Sequence, residues 1–227
     1  MHGRWQQGYP DQALARIRET DELAERLDRW ASDLKRLSAE QGYALWLAWA
    51  TCYEGWVAGA KGNLSEGIAQ MERGVEALLG TGARAHLPHC LALLAELCLH
   101  AGRIEAASER LAEAHAQAES SGERYWEAEL HRLDGEVLLA AADNGNPDNG
   151  SRERAEACFR RALEVAGRQG AVSLELRAAL SLSSLGRSSD AHQLLREVMG
   201  RFTEGHDTAD LRAAQTQLAL IQTLSDD

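Results

Sequence analysis

The sequence predicts an all-α protein, and three observations carry that prediction. Only three of 227 residues are proline and 5% are aromatic, while Ala, Leu, Glu and Arg, which lose little on entering a helix, crowd the chain. Glycines punctuate the apolar runs, with Gly62, Gly102 and Gly186 each ending a helical segment. The residues beyond those stops repeat a spacing: Gly67, Ala107 or Ala191 comes first, then Met71 and Gly74, Leu111 and Ala114, or Leu195 and Val198.

A helical hairpin cannot bury both faces alone, so it needs small residues where helices approach closely and large ones where they interdigitate. This is the pattern of a tetratricopeptide-type solenoid, a right-handed superhelix of stacked hairpins occupying residues 1–227 as one domain. The map in chain order is a leading helical region at 11–41, hairpins at 43–82, 85–121, 125–169 and 172–202, and a capping helix at 208–224. In the leading region, Gly8, Ala13 and Ile17 read as the turn and second helix of a hairpin whose first helix is missing. No glycine or proline follows before Gly42, so either Thr20 caps a new helix or one long helix runs through, and we favour the long helix.

The hairpin around Gly102 offers Leu91, Leu94, Ala95 and Cys98 in its first helix, and the one around Gly186 offers Ala178, Ala179 and Leu182. Between them, Gly135 and Leu138 face Ala155, Phe159 and Ala162 across a turn enlarged by DNGNPDNG at 143–150. Gly55, Ala95, Gly135 and Ala179 are expected at close helix crossings. The strings EQG, GTG, SSG and RQG end helices between hairpins. The last helix, capped by Asp207 or Thr208, turns Leu211, Leu218, Ile221 and Leu224 inward and Arg212, Gln215 and Gln222 outward.

The formal net charge of -11 disfavours phosphate backbones and anionic lipid, so neither nucleic acid nor a membrane is an expected partner. Lysine occurs only at 35 and 61, leaving arginine as the main cation, a planar donor suited to carboxylate pairing. Cys52, Cys90, Cys98 and Cys158 form no C-x-x-C pair and sit in apolar helical runs, as reduced core thiols of a cytoplasmic protein would. The N-terminus has no apolar signal core, and no run approaches the length of a membrane span.

The strongest functional candidate is the aromatic series Trp46, Trp49, Tyr53 and Trp56 on one helix. Its rings either anchor a partner or pack against the leading helical region. The repeat register puts Trp49, Cys52, Tyr53 and Trp56 on a concave groove, followed by His89, Glu96 and Leu99, then Glu129, Arg132 and Glu136, then Leu176 and Leu180. Such a groove, apolar at its ends and acidic in the middle, suits a basic, apolar-flanked peptide, or is a solvated face with no ligand.

No metal or cofactor is expected. His86, His89 and Cys90 lie close in sequence, but Pro88 interrupts the turn and Cys98 and His100 are two turns further on. Glu40, Glu54, Glu96, Glu129 and Glu136 have no nucleophile or Gly-rich loop beside them, so no catalytic residue is assigned. The 143–150 turn lacks the spacing and terminal Glu of a calcium loop.

Four strings, GYPDQALAR at 8–16, EGIAQMERGVEA at 66–77, GERYWEAELHRLDGEVLL at 122–139 and RFTEGHDTADLRAA at 201–214, carry a resemblance. The chain resembles the C-terminal tetratricopeptide region of large bacterial signalling proteins that join a class III nucleotide cyclase domain to a STAND-type AAA NTPase. The resemblance implies a regulatory or docking module, with cyclase and NTPase chemistry on other domains; this chain has no phosphate loop and no paired metal-binding aspartates. Against the family pattern one hairpin is missing between Ala13 and Gly42. The expected function is therefore a non-catalytic protein-interaction scaffold, or a ligand- or peptide-sensing module controlling a cyclase or NTPase. The unpartnered apolar residues Leu14, Ile17, Leu23, Leu27 and Leu34, with Trp5, Tyr9 and Trp30, call for a cover over residues 1–41: a second copy of the chain in a homodimer, another protein, or the 43–61 helix if the region folds back on it.

Overall fold

The computed structural model describes residues 26–143, 150–186, 189–205 and 208–225. Ten helices, and no strand, occur among them. They are α1 (26–41), α2 (Ala44–Ala60), α3 (Leu64–Gly80), α4 (Leu87–His100), α5 (Ile104–Ser121), α6 (Glu127–Asp143), α7 (Ser151–Gln169), α8 (Val172–Ser184), α9 (Ser189–Met199) and α10 (Ala209–Ser225). The described residues fall into two compact units, 26–126 and 127–225, each treated by itself. The arrangement is that of an all-α helical repeat: α2, α3, α4 and α5 pack in succession in one unit, as do α6, α7, α8, α9 and α10 in the other. Within each unit alternate helices also touch, α2 against α4 in one, and α6 against α8 and α8 against α10 in the other. Residues 11–25, and with them the choice between one long leading helix and a helix capped by Thr20, lie outside the described residues. So do 144–149 of the enlarged turn, and Asp207.

Glycine stops set the helix ends. Gly62 and Gly102 adopt φ of +94° and +71°, and beyond them the Asn63 and Arg103 amides donate to the carbonyls of Ala58 and Cys98 at 2.9 and 2.8 Å. This closure satisfies carbonyls the helix end would leave open, in a backbone conformation that costs glycine nothing.

Small residues let α2 and α3 touch backbone to backbone. A methyl on Gly55 would lie 2.7 Å from the Met71 amide nitrogen, and one on Gly74 would lie 2.6 Å from Cys52 Sγ. Around this contact Ile68, Met71, Leu78, Leu87, Leu91, Leu94 and Leu97 are fully buried. In the 127–225 unit Gly135 makes room for the ring of Phe159, itself wholly buried. Leu176, Ala179 and Leu180 of α8 meet Leu195 and Val198 of α9 and Leu211 and Ala214 of α10. Leu211 faces inward and Arg212 and Gln215 face solvent; the side chains of Ile221, Gln222 and Leu224 lie outside the described residues.

Candidate functional site

In the 26–126 unit, side chains from α1, α2, the α4 start and the segment ahead of α6 form an aromatic strip. Trp49 and Tyr53 are one turn apart on α2, and His86 and His89 one turn apart at the start of α4, so the two pairs form rungs. Trp49 meets His86 edge to face at 5.0 Å, and Tyr53 meets His89 at 6.4 Å. Trp46 continues the first rung at 5.0 Å from Trp49, and Trp30 of α1 continues the second at 6.1 Å from Tyr53. On the far side, the Trp126 indole stacks on the His89 imidazole at 3.8 Å and 7°, and Tyr125 packs against Trp126 at 5.4 Å. The edge-to-face contacts place ring edges against π faces, while Trp126 and His89 stack face on face.

The strip is open to solvent at its margins. Trp30, Trp46 and Tyr125 are 50%, 43% and 72% exposed, with Leu37 and Tyr43 exposed beside the first two. Its interior holds two unmet donors, because the indole N–H groups of Trp49 and Trp126 are shielded from solvent and have no acceptor among the described residues. Burying such a group unpaired costs about 1–3 kcal/mol.

His86 carries backbone strain as well. Its φ of +60° is the left-handed conformation, and among the described residues no other non-glycine adopts it. Glu123 holds it there: its Oε2 accepts a hydrogen bond from the His86 amide at 2.9 Å. Among the described residues no cationic side chain lies within ion-pair distance of Glu123, whereas Glu54 is met by Lys35 at 2.6 Å and by the Gln70 amide at 2.7 Å. Behind the strip, Cys52 and Cys90 are buried against each other. Their hydrogen bond first, then burial and the nearby charges of Cys52 and Glu123, push the Cys90 thiol well above its ordinary range. Burial, aided by the two thiols, pushes the Tyr53 hydroxyl up to about 12. The Cys90 thiol and the Tyr53 hydroxyl therefore stay protonated at neutral pH.

The groove read from the repeat register is corrected at several positions. Cys52 is fully buried beneath Gly74, and Leu176 and Leu180 are sealed into the core formed with α9 and α10. All three face the interior, so none can line a partner surface. Trp49, Tyr53, Trp56, His89, Glu96 and Leu99 are half-buried. The acidic middle of that groove is also corrected, because Glu129 and Arg132 are 7% and 8% exposed and neutralise one another. Glu129 Oε1 accepts from Arg132 Nη2 at 2.7 Å and lies 2.9 Å from Arg177 Nη2, while Glu136 Oε1 accepts from Arg132 Nη1 at 3.3 Å and Ser181 Oγ at 2.7 Å. This is an internally satisfied network tying α6 to α8.

Of the residues weighed as metal ligands and set aside, His86 is exposed and turned to Trp49 while Cys90 is buried towards Cys52. Glu123, Tyr125, Trp126 and the aromatic role of His86 were not singled out from sequence. The signal was the string GERYWE, whose rings precede α6 and therefore have no helical register to place them.

No family model matches the chain. A curated relative, described as "Uncharacterized protein R02095" of Rhizobium meliloti (strain 1021), is 38% identical over 135 residues, which is 59% of this chain and 12% of that protein. The match thus covers a small part of a much longer relative. Among the described residues no helix is long and apolar enough to cross a membrane.

Proposed function

We propose that the chain is a tetratricopeptide-type solenoid and a non-catalytic protein-interaction scaffold of a bacterial signalling system, working in the cytoplasm and docking a partner protein on the aromatic strip of residues 26–126. The observation that carries this reading is the strip itself: contacting rings, exposed at the margins, around two shielded indole donors with no described acceptor. Aromatic side chains bring large contact area at low entropic cost, and exposed clusters of them mark interaction surfaces. The packing of α2 on α4 in one unit, and of α6 on α8 and α8 on α10 in the other, supports the solenoid assignment.

A second reading keeps the same surface but makes the chain a sensing module that regulates a cyclase or STAND-type NTPase. It is favoured by the resemblance of GYPDQALAR, EGIAQMERGVEA, GERYWEAELHRLDGEVLL and RFTEGHDTADLRAA to that family's C-terminal region, and by the small share of the longer relative that the match covers.

Co-purification from the source cell tests the docking reading. A partner retained by the wild type and by a Glu105→Ala control on α5, but lost from a Trp46→Ala/Tyr125→Ala variant, is the expected result. An identical set of co-purifying proteins for all three contradicts it. Light scattering addresses self-association through residues 1–41: a dimer lost when Leu27 and Trp30 become polar makes the partner a second copy.

A further inference from the structure

We infer that the aromatic strip is a recognition site for an arginine side chain, presented by an extended segment of a partner protein and seated between the rings and the carboxylate of Glu123. The inference rests on the docking reading above and adds the chemistry of what docks.

Three observations of different kinds converge on it. The first is charge. Glu123 borders the strip, accepting from the His86 amide and standing three residues ahead of Trp126, and among the described residues no ion pair engages it. Its charge reaches inward far enough to help hold the Cys90 thiol protonated. One carboxylate oxygen is engaged by the amide at 2.9 Å, and the other has no described partner to accept from. A positive donor from outside completes the site.

The second is shape. The rings gather tightly, Trp126 lying flat on His89 at 3.8 Å and Trp49 meeting His86 edge to face at 5.0 Å, and the His86 imidazole is exposed to solvent. A guanidinium is planar, weakly hydrated and stacks on such faces while its fork donates to a carboxylate. An ammonium is compact and more strongly hydrated, and a quaternary ammonium has no N–H to give Glu123. Arginine is therefore the cation that uses both halves of the site.

The third is the pair of unmet donors. The Trp49 and Trp126 indole N–H groups lack acceptors among the described residues, and an extended segment carries a backbone carbonyl on either side of its arginine. The strained His86 backbone belongs to the same device, since the bond to Glu123 that fixes it also fixes the carboxylate.

The test uses the full chain labelled with nitrogen-15, in which the indole N–H resonances of Trp49 and Trp126 are assigned through single Trp→Phe variants. It is titrated with N-acetyl-arginine methylamide and with the citrulline analogue, which keeps the plane and loses the charge. Both indole resonances should shift saturably with the arginine compound, at an affinity about tenfold above that for citrulline, the scale of a cation–π contact joined to an ion pair. Glu123→Gln should remove that preference. Equal affinity for the two compounds, shifts confined to other residues, or no shift up to about 50 mM, beyond the millimolar range of weak binding, would each overturn the inference. Because the arginine–citrulline comparison is made on the wild type, it stands even if Glu123→Gln fails to fold. A partner that still needs Trp46 and Tyr125 but binds regardless of arginine would leave the docking reading intact and remove this chemistry alone.

Discussion

Gly55 and Gly67 face each other across the α2–α3 crossing so closely that neither tolerates a side chain. A methyl on Gly55 would lie 2.8 Å from the Gly67 carbonyl oxygen, and one on Gly67 would lie 2.6 Å from that of Gly55. The obstacle is backbone on both sides, which cannot swing away as a flexible side chain would. Gly55→Ala should therefore destabilise the protein by about 3 kcal/mol, at the upper end of overpacking costs. Gly167 has nothing within 4 Å of its would-be methyl and lies inside α7, so Gly167→Ala should stabilise by roughly 0.5–1 kcal/mol. Urea denaturation of the two variants checks both signs.

The Glu129–Arg132 pair gives a second prediction. Both side chains are almost entirely removed from solvent, and removing one takes away the other's shortest ion pair, leaving Glu129 with Arg177 or Arg132 with the longer contact to Glu136. Arg132→Met should cost about 3 kcal/mol, and Glu129→Gln a substantial fraction of that. The double variant should lose less than the sum, by roughly 1 kcal/mol or more, in a double-mutant cycle. Additive losses would mean the two side chains contribute independently.

Alkaline pH should loosen the fold. Cys90 is held well above its ordinary 9.0 and Tyr53 is raised from 10.0 to about 12. The folded chain keeps protons that the unfolded chain releases, so above about pH 9 the unfolded state binds fewer protons and stability falls as pH rises. The contribution is complete below pH 9 and is lost as the pH climbs through the folded-state values. The urea midpoint should be level between pH 7.5 and 8.5 and decline at pH 10 and above. In Cys90→Ala the decline should be shallower, starting from a lower neutral value.

A capping role for α10 is tested by truncation. Deleting 208–227 uncovers Leu176, Leu180, Leu195 and Val198, which α10 covers with Leu211 and Ala214. The shortened chain should aggregate or melt at a markedly lower temperature, as solenoids without a polar cap do. An equally stable monomer would show that α10 does not cap.

Helix positions were legible in the sequence because their ends are written in glycine. Gly42, Gly62, Gly102, Gly122 and Gly170 all take the left-handed conformation that a helix stop requires. The crossings at Gly55 and Gly135 were legible for a similar reason, since only a missing side chain lets Met71 and Phe159 come so near. The face proposed to dock a partner was much less so. Along α4, Leu87, Pro88, Cys90, Leu91, Ala92, Leu94, Ala95, Leu97 and Cys98 are all buried, so periodicity cannot separate a groove side from a core side. The same ambiguity put Cys52, Leu176 and Leu180 on a surface they do not reach. Glu123, Tyr125 and Trp126 precede α6, where no helical period applies, and their meeting with His86 and His89 depends on tertiary packing.

The docking of a partner on the aromatic strip is tested most directly by site-specific photo-crosslinking in the source cell. A photoreactive phenylalanine analogue placed at Tyr125, 72% exposed on the strip, should yield a discrete adduct with one partner protein. The same group at Glu105, exposed on α5 of the same unit, should yield none. Adduct at Tyr125 that disappears when His89 and Trp49 are replaced is the predicted result. Equal labelling from both positions, or none from Tyr125, would contradict the account.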